Sequence, residues 1–381
     1  TLIKLKNIEG GVGAPEGFVA AGTACGIKKN GEEDLALIFS ESAATAAGAF
    51  TSNRITAAPV RLSRRNLEKG ICRAVVINSG SANACTGEKG EKDARKMAGA
   101  VGDYLEINPS RVAVCSTGRI GTYLPMDRIL SGIERLAAII RKGGNRSAAP
   151  AIMTTDTYPK ETAVLVEEKG LEFRIGGIAK GAGMICPRMR VEGYPHATML
   201  SVITTDAEIE TNVLRESLHR AIERSFNRVT VDGDTSTNDT VICLASARSG
   251  AVIEEGKKSE EIFNRALDYV SLRLARMIAA DGEGAGKFVE IRVRGAATPE
   301  DAHRAASAVA KSTLFKCALY GESPNWGRIL AALGNSGAEL ASDRIGIRLK
   351  DEDIVNEGKV ISPPSAAVRE ALAGKELCFL I

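Results

Sequence analysis

Aromatic side chains are scarce in this chain. Phe, Trp and Tyr make up 4% of its 381 residues, and Trp326 is the one tryptophan. Proteins that bind single-stranded nucleic acid commonly stack bases on aromatic rings, and nucleic-acid-binding domains carry an excess of positive charge. Here 50 Lys and Arg residues face 47 Asp and Glu residues, for a net charge of +3. The composition therefore predicts no nucleic-acid partner and no attraction to an anionic membrane.

Histidines and closely paired cysteines are also lacking. The chain has three histidines, and none of its eight cysteines forms a Cys-x-x-Cys pair. This pattern argues against a zinc site, and buried, scattered thiols are typical of a reducing compartment. No long apolar run precedes Gly10, which argues against a signal peptide or a membrane span there. We expect a soluble, cytoplasmic protein with no metal.

The length and the order of patterns predict an α/β protein with two lobes. One hydrophobic core rarely serves more than roughly 250–300 residues. Short apolar runs alternate with small-residue loops and amphipathic stretches, an order typical of α/β folds. The first such units are strand 74–77, loop 78–87 and helix 91–105, then strand 111–115, loop 116–121 and helix 126–141.

The second half of the sequence continues the alternation. Gly143-Gly144-Asn145 suggests a lobe boundary, and Lys169-Gly170 suggests the turn of a hairpin. The predicted elements are strands 161–167 and 171–175 and helices 207–225 and 259–279. Residues 377–381 (LCFLI) are typical of a buried strand. Since core strands seldom end at a terminus, we expect the natural protein to continue beyond Ile381.

The segment 179–205 carries the strongest chemical signal. A glycine-rich turn with one lysine, Lys180, is followed by an apolar strand that begins near Thr198. Glycines allow close backbone approach to a ligand, and a lysine there could hold a carboxylate. From these residues alone, Thr198 fits an ordinary strand threonine better than a nucleophile. The Lys-Gly-x-Gly sequence lacks the spacing of a phosphate-binding loop.

Taken with the motifs around it, this segment resembles the ornithine acetyltransferase family, also called the bifunctional glutamate N-acetyltransferases of arginine biosynthesis. The resemblance covers nearly the whole chain. The matching motifs, in order, are 13–18 (GAPEGF), 20–22 (AAG), 78–87 (NSGSANACTG), 116–118 (STG), 154–157 (TTDT), 180–184 (KGAGM), 197–200 (ATML), 231–239 (VDGDTSTND), 281–284 (DGEG) and 324–328 (PNWGR).

The resemblance implies a layered sandwich of helices on β-sheets, a self-processing threonine-nucleophile scaffold. Cleavage of the Ala197–Thr198 bond would give an α chain (1–197) and a β chain (198–381), assembled as two of each. Thr198 would take the acetyl group of N-acetylornithine and pass it to glutamate, with ping-pong kinetics. No cofactor is implied, although acetyl-coenzyme A is a possible second acetyl donor.

The resemblance also assigns the residues around Thr198. The Thr117 hydroxyl and the Gly118 backbone N–H would form the oxyanion hole. Thr155 and Lys180 would hold the carboxylate end of the substrate, and Glu283 its ammonium group. Without the family, residues 116–118 fit a helix cap equally well, and Glu283 fits a solvated loop carboxylate.

Two features depart from the family. Members usually run from the proline almost directly into the scissile bond, whereas here Arg188 stands at an asparagine position and seven residues, Arg190 to His196, intervene. Beside the cut, His196 fits a bystander better than a proton carrier. Members also continue past the position of Ile381 into a segment whose asparagine and threonine contact substrate.

The acidic loop 232–239 is considered as a calcium site. The loop 232–239 has the wrong residues at the sixth and twelfth positions for a calcium-binding EF-hand loop. We expect a capped turn in which Asn and Asp bond nearby backbone amides.

The alternatives to acetyl transfer are a self-processing, aminopeptidase-like hydrolase and a catalytically impaired homologue. The inserted loop and the missing tail suggest the second of these.

Overall fold

The structure is a computed structural model, and it describes residues 4–141, 148–186, 189–191, 199–361 and 364–381. Two compact units divide the chain. Unit 1 comprises Thr1–Val229 and Asp234–Glu283, and unit 2 comprises Thr230–Gly233 and Gly284–Ile381. The prediction of two lobes is confirmed. The predicted boundary at 143–145 is wrong, because the segments before and after it contribute strands to the same sheet of unit 1.

Unit 1 is built on one large sheet. The strands of unit 1 are β1 (Leu5–Ile8), β2 (Phe18–Thr23), β3 (Leu35–Phe50), β4 (Ile71–Ser81), β5 (Val112–Arg119), β6 (Lys160–Glu168), β7 (Leu171–Lys180), β8 (Arg190–Val191), β9 (Leu200–Thr205), β10 (Glu208–Ile209), β11 (Thr240–Ala245) and β12 (Val252–Ile253); β10 and β12 form a separate two-stranded sheet. The main path runs β1-β6-β7-β9-β11-β3-β4-β5, β2 and β8 pair with β3, and β10 pairs with β12 alone.

The helices of unit 1 are α1 (Ala58–Leu67), α2 (Gly87–Leu105), α3 (Met126–Arg141), α4 (Ala149–Ile152), α5 (Thr211–Arg224) and α6 (Lys258–Ala280). The bounds of α3 agree with the predicted helix, whose apolar positions Ile129, Ile133 and Leu136 are buried. The helix predicted from 207 begins four residues later as α5, because Glu208–Ile209 pairs with β12.

The long strand β3 pairs with different strands along its two parts. Its first part pairs with β2 and β4, and its last part pairs with β8 and β11. Leu35 and Leu37 face a core shared with α2 and α3, whereas Ala36 and Ile38 face a second core shared with β7, β9 and β11. On the far side, Phe173 of β7 contacts Phe263 of α6. Helices therefore cover both outer faces, which confirms the predicted α/β layered sandwich.

The hairpin of β6 and β7 turns where the sequence indicated. Lys169 and Gly170 both have positive φ, +51° and +82°, the conformation that a two-residue type I′ turn requires. The turn fixes the register so that Glu168 lies opposite Leu171 and Lys160 lies opposite Ala179. The hairpin thereby brings the start of β6 beside the end of β7.

Strands β4 and β5 extend further than predicted. The loops expected from Asn78 and from Ser116 start later, at the residues after Ser81 and Arg119. The two strands pair in parallel, with Asn78 beside Ser116 and Gly80 beside Gly118. The Ser116 hydroxyl donates to Asn78 Oδ1 (2.6 Å). Small polar residues read as loop in isolation, but here the ladder and these side-chain bonds satisfy their polar groups.

Unit 2 has its own sheet, in the order β13-β17-β14-β15-β16. Its elements are β13 (Phe288–Arg292), α7 (Pro299–Lys311), α8 (Thr313–Tyr320), α9 (Trp326–Gly334), β14 (Ile347–Leu349), β15 (Glu352–Asn356), β16 (Lys359–Val360), α10 (Ala366–Ala373) and β17 (Glu376–Leu380). The predicted terminal strand is confirmed as β17, in which Leu377 and Phe379 are buried.

Two properties of the whole described chain bear on the earlier expectations. All eight cysteines lie in the described part and are free thiols. The prediction that they are buried holds for Cys72, Cys115, Cys186 and Cys243, whereas Cys85 and Cys317 are exposed. Among the described residues, no helix combines the length and the apolar character needed to span a bilayer.

Candidate active site

Lys180 ends β7 and joins three segments of unit 1. Its ammonium group donates to Thr154 Oγ1 (2.7 Å) and to Thr117 Oγ1 (3.3 Å), and it lies 3.7 Å from Asp156 Oδ2. The side chain is 6% exposed. Burial lowers the pKa of Lys180, and the charge of Asp156 opposes that decrease. The site therefore holds a buried ammonium among two hydroxyls and a carboxylate.

Asp156 anchors this arrangement. Its Oδ1 accepts from Lys160 Nζ (2.6 Å) and from the Gly181 backbone N–H (2.7 Å), while its Oδ2 accepts from the Thr154 N–H (3.0 Å). Burial by itself would raise the pKa of Asp156, but the neighbouring charges of Lys180 and Lys160 bring it down to about 2. Asp156 is thus a fully ionised group inside the protein.

Lys160 lies between two carboxylates. It is fully buried and pairs with Asp156 and with Asp281, which directly follows α6. Asp281 also accepts from the Thr157 backbone N–H (2.9 Å). No role was predicted for Asp156, Lys160 or Asp281 from the sequence. The motifs 154–157 and 281–284 contain Asp156 and Asp281 and were a signal for those two residues, whereas Lys160 lies in neither motif.

The predicted oxyanion-hole residues lie at the end of β5. Thr117 is 8% exposed, and Gly118 is exposed with a φ of +126°. The alternative interpretation as a helix cap is wrong, because these residues belong to β5 and α3 begins only at Met126. Thr117 contacts Lys180, so the structure brings two of the predicted site residues together.

Glu283 and Thr155, the other two residues predicted to bind the substrate, lie in different surroundings. The Glu283 carboxylate is exposed and lies against Gly183, where a Cβ would come within 2.5 Å of Oε2. The Glu283 N–H donates to the Ala182 carbonyl (2.9 Å). Thr155, in contrast, is exposed, and its neighbour Thr154 is the threonine that contacts Lys180.

The predicted nucleophile, Thr198, and the bond to Ala197 lie outside the described residues, as does most of the inserted segment. The flanks are described. In the insertion, Arg190–Val191 forms β8 and pairs with the end of β3. After Thr198, Met199 is buried and its carbonyl accepts from the Thr240 N–H (2.8 Å). Leu200 pairs with Lys180, so β9 begins beside the lysine.

The loop 232–239 ends beside these strands. The prediction of local amide bonding is wrong for the Asn238 side chain, whose amide group donates to the distant carbonyls of Ala82 (2.6 Å) and Ser116 (2.8 Å). It thereby supports the backbone next to Thr117. No described group hydrogen-bonds the fully buried Asp239 carboxyl. Burial raises the pKa of Asp239 well above its ordinary range, although Lys180 acts in the opposite direction.

Comparisons with known proteins identify the family. The ArgJ family model matches residues 19–381. Arginine biosynthesis bifunctional protein ArgJ of Symbiobacterium thermophilum is 48% identical over 375 residues, which cover 98% of this chain and 92% of that protein. Glutamate N-acetyltransferase of Methanocaldococcus jannaschii is 47% identical over 355 residues, 91% of this chain and 84% of that protein.

Among solved structures, ornithine acetyltransferase of Mycobacterium tuberculosis in complex with ornithine is 44% identical over 49% of this chain and 100% of that chain, with a TM-score of 0.45. The Bacillus halodurans ArgJ structure is 38% identical over 50% of this chain and 100% of that chain, with a TM-score of 0.46. Because the family model and the relatives cover nearly its full length, this chain belongs to the ArgJ family of acyltransferases of arginine biosynthesis, as the resemblance predicted.

Proposed function

We propose that this protein transfers the acetyl group of N2-acetylornithine to glutamate through an acetyl ester of Thr198. The observation that best supports this proposal is the contact of the buried Lys180 ammonium with Thr117, beside the first residues of β9. That contact places a positive charge and a hydroxyl where β5, β7 and β9 end or begin. The names of its relatives, arginine biosynthesis bifunctional protein and glutamate N-acetyltransferase, support the choice of reaction.

The enzyme would first cut itself. The Thr198 hydroxyl attacks the Ala197 carbonyl carbon, the peptide nitrogen leaves that carbon as the new α-amine, and water hydrolyses the resulting ester. Fragments 1–197 and 198–381 result. The α-amine can then act as the base for the hydroxyl, because α-amines titrate near neutral pH.

The two fragments would remain together. Strands β9 and β11 belong to the second fragment, whereas β7 and β3 belong to the first, and β9 pairs with β7 as β11 pairs with β3. The hydrogen bonds between these strands, and the core they share, therefore join residues of the two fragments. We further propose two copies of each fragment in the assembly, as the family resemblance implies.

In the first half-reaction, Thr198 Oγ attacks the acetyl carbonyl carbon, and the α-amino group of ornithine leaves with a proton. Thr117 Oγ1–H and the Gly118 N–H would stabilise the oxyanion. In the second half-reaction, the amine of glutamate attacks the acetyl ester, which releases Thr198 and N-acetylglutamate. Lys180 and Thr155 would hold the substrate carboxylate, and Glu283 its ammonium group.

We propose that neither half-reaction needs a metal or a cofactor, since the nucleophile, base and donors are all side-chain or backbone groups. Acetyl-coenzyme A as a second acetyl donor stays a prediction. The reaction would take place in the cytoplasm, in keeping with the free thiols.

A denaturing gel followed by mass spectrometry tests the proposal. We expect the 40.2 kDa chain to give two fragments, one beginning Thr-Met-Leu-Ser, and N-acetylornithine to add one acetyl group to that fragment. Thr198→Ala should remain a single band, while Thr198→Ser should still be cut. Cleavage of Thr198→Ala at the same bond would refute the nucleophile. Peptide hydrolysis without acetyl exchange would instead indicate the hydrolase, and an uncut, unacetylated wild type the impaired homologue.

A further inference from the structure

We propose that Asp156 is a positioning residue for acetyl transfer: it holds the Lys180 ammonium against Thr117, so that Lys180 orients and polarises the hydroxyl of the oxyanion hole. This inference rests on the proposed function. It adds to that function a residue with no assigned role, and it gives Lys180 a task beyond binding a carboxylate.

The ammonium group of Lys180 fixes the direction of its hydrogen bonds. An ammonium group has three hydrogens to donate and accepts none. Thr117 Oγ1 and Thr154 Oγ1 must therefore both accept from Lys180, at 3.3 Å and 2.7 Å. A Thr117 oxygen that accepts from a cation keeps its own hydrogen for another acceptor, and the charge makes that hydrogen a better donor. An oxyanion is such an acceptor.

Asp156 holds Lys180 in place. One Asp156 carboxylate accepts from the N–H of Thr154, whose side chain contacts Lys180, and from the N–H of Gly181, which follows Lys180 in the chain. It also provides the opposite charge at 3.7 Å. A buried ammonium without a counter-charge is strongly disfavoured. Asp156 thus determines both the position and the charge of Lys180.

The chain contains a matched control. Lys160 pairs with two carboxylates, those of Asp156 and Asp281. Either Asp→Asn change removes one of the two negative charges beside Lys160. Among the described residues, however, Asp156 forms an ion pair with Lys180 and Asp281 does not. Damage to the buried network in general would therefore appear in both variants, whereas the proposed effect would appear only in Asp156→Asn.

The pH dependence supplies a readout that a purely structural role would not change. The charged groups that act on Lys180 are Asp156 from the loop before β6, Lys160 from β6, Glu283 after α6 and Asp239 before β11. Burial lowers the pKa of Lys180, and Asp156 is the largest opposing influence. Loss of the Asp156 charge should lower the pKa of Lys180 further.

The experiment measures single-turnover acetylation of the self-cleaved enzyme by N-acetylornithine between pH 6 and 10, together with steady-state kcat and KM. We expect Asp156→Asn to be acetylated at least about tenfold more slowly than the wild type. As the pH rises, it should also lose activity at a pH at least about one unit below that at which the wild type does. The loss should fall on kcat. Asp281→Asn should keep the wild-type alkaline limb and a rate close to that of the wild type.

Equal behaviour of the two variants, or an effect of Asp156→Asn on KM alone, would overturn the inference. If Asp156→Asn does not fold, Thr154→Val serves instead: it removes the 2.7 Å acceptor and leaves every charge in place. The inference then requires a lower kcat with an unchanged alkaline limb, and an unchanged kcat would contradict it. A wild type that forms no acetyl adduct would refute the proposed function itself, which is a separate result.

Discussion

Gly118 lies directly against the backbone of Gly80, the residue beside it in the neighbouring strand. A Cβ on Gly118 would come within 2.3 Å of the Gly80 carbonyl carbon, and the φ of Gly118 is +126°. Contacts this short do not occur in folded proteins, and side chains other than hydrogen strongly disfavour that φ. Glycine at 118 therefore keeps the end of β5 close to β4, with its backbone exposed.

Gly118→Ala should consequently move the backbone of the oxyanion hole. We expect acetylation to fall by about 10²–10³-fold, the usual loss when one oxyanion donor is displaced. Single-turnover acetylation of Thr198 measures it. Gly121→Ala is the control: Gly121 also has a positive φ, +79°, but a Cβ there would meet no described atom within 4 Å. Equal losses in both variants would show that backbone strain alone causes the effect.

Gly183→Ala tests whether Glu283 binds the ammonium group of the substrate. The new Cβ would come within 2.5–2.7 Å of the Glu283 carboxyl group, which is the end of a flexible, exposed side chain and can rotate away. We therefore expect KM for N-acetylornithine to rise by about tenfold, equivalent to about 1.4 kcal/mol of binding, with kcat and thermal stability nearly unchanged. Gly286→Ala, with no described atom near its Cβ, should keep the wild-type KM. A fall in kcat alone would contradict the role of Glu283.

Asp239→Asn should change the pH dependence of stability. Because burial raises the pKa of Asp239 in the folded protein, the folded state binds a proton that the unfolded state releases, so stability falls as the pH rises above the ordinary carboxyl range. Asparagine has nearly the same shape and no such proton. We expect a higher Tm than the wild type at pH 8 and a much smaller difference at pH 4. Parallel Tm curves would refute the assignment.

Lys160→Met should be strongly destabilising. The substitution leaves Asp156 and Asp281 buried without the cation between them, and breaking a buried pair typically costs about 3–5 kcal/mol. Urea unfolding of the Thr198→Ala background, which should remain a single chain, gives the free energy. Lys92→Met is the control, because both members of the Lys92–Glu88 pair are largely exposed, and the change should cost about 1 kcal/mol or less. Similar losses would show that the buried network contributes no more than a surface pair.

Local patterns determined much of the fold. The apolar spacing of Ile129, Ile133 and Leu136 defined α3 to the residue, and the Lys169-Gly170 pair defined the hairpin turn. Such signals act over a few residues, through helical periodicity and backbone conformation, and so the sequence carries them without its tertiary context. The same holds for the ordered motifs by which the sequence alone indicated the family.

Only the tertiary structure decided which groups meet. Thr154 rather than Thr155 contacts Lys180, and Lys160 pairs with Asp281 across 121 residues of chain. Asn238 supports the carbonyl of Ser116 across 122 residues. These contacts follow from the strand order, which brings the ends of β5 and β7 and the loop before β11 together. No local preference encodes that order, because it arises from the burial of both faces of one sheet.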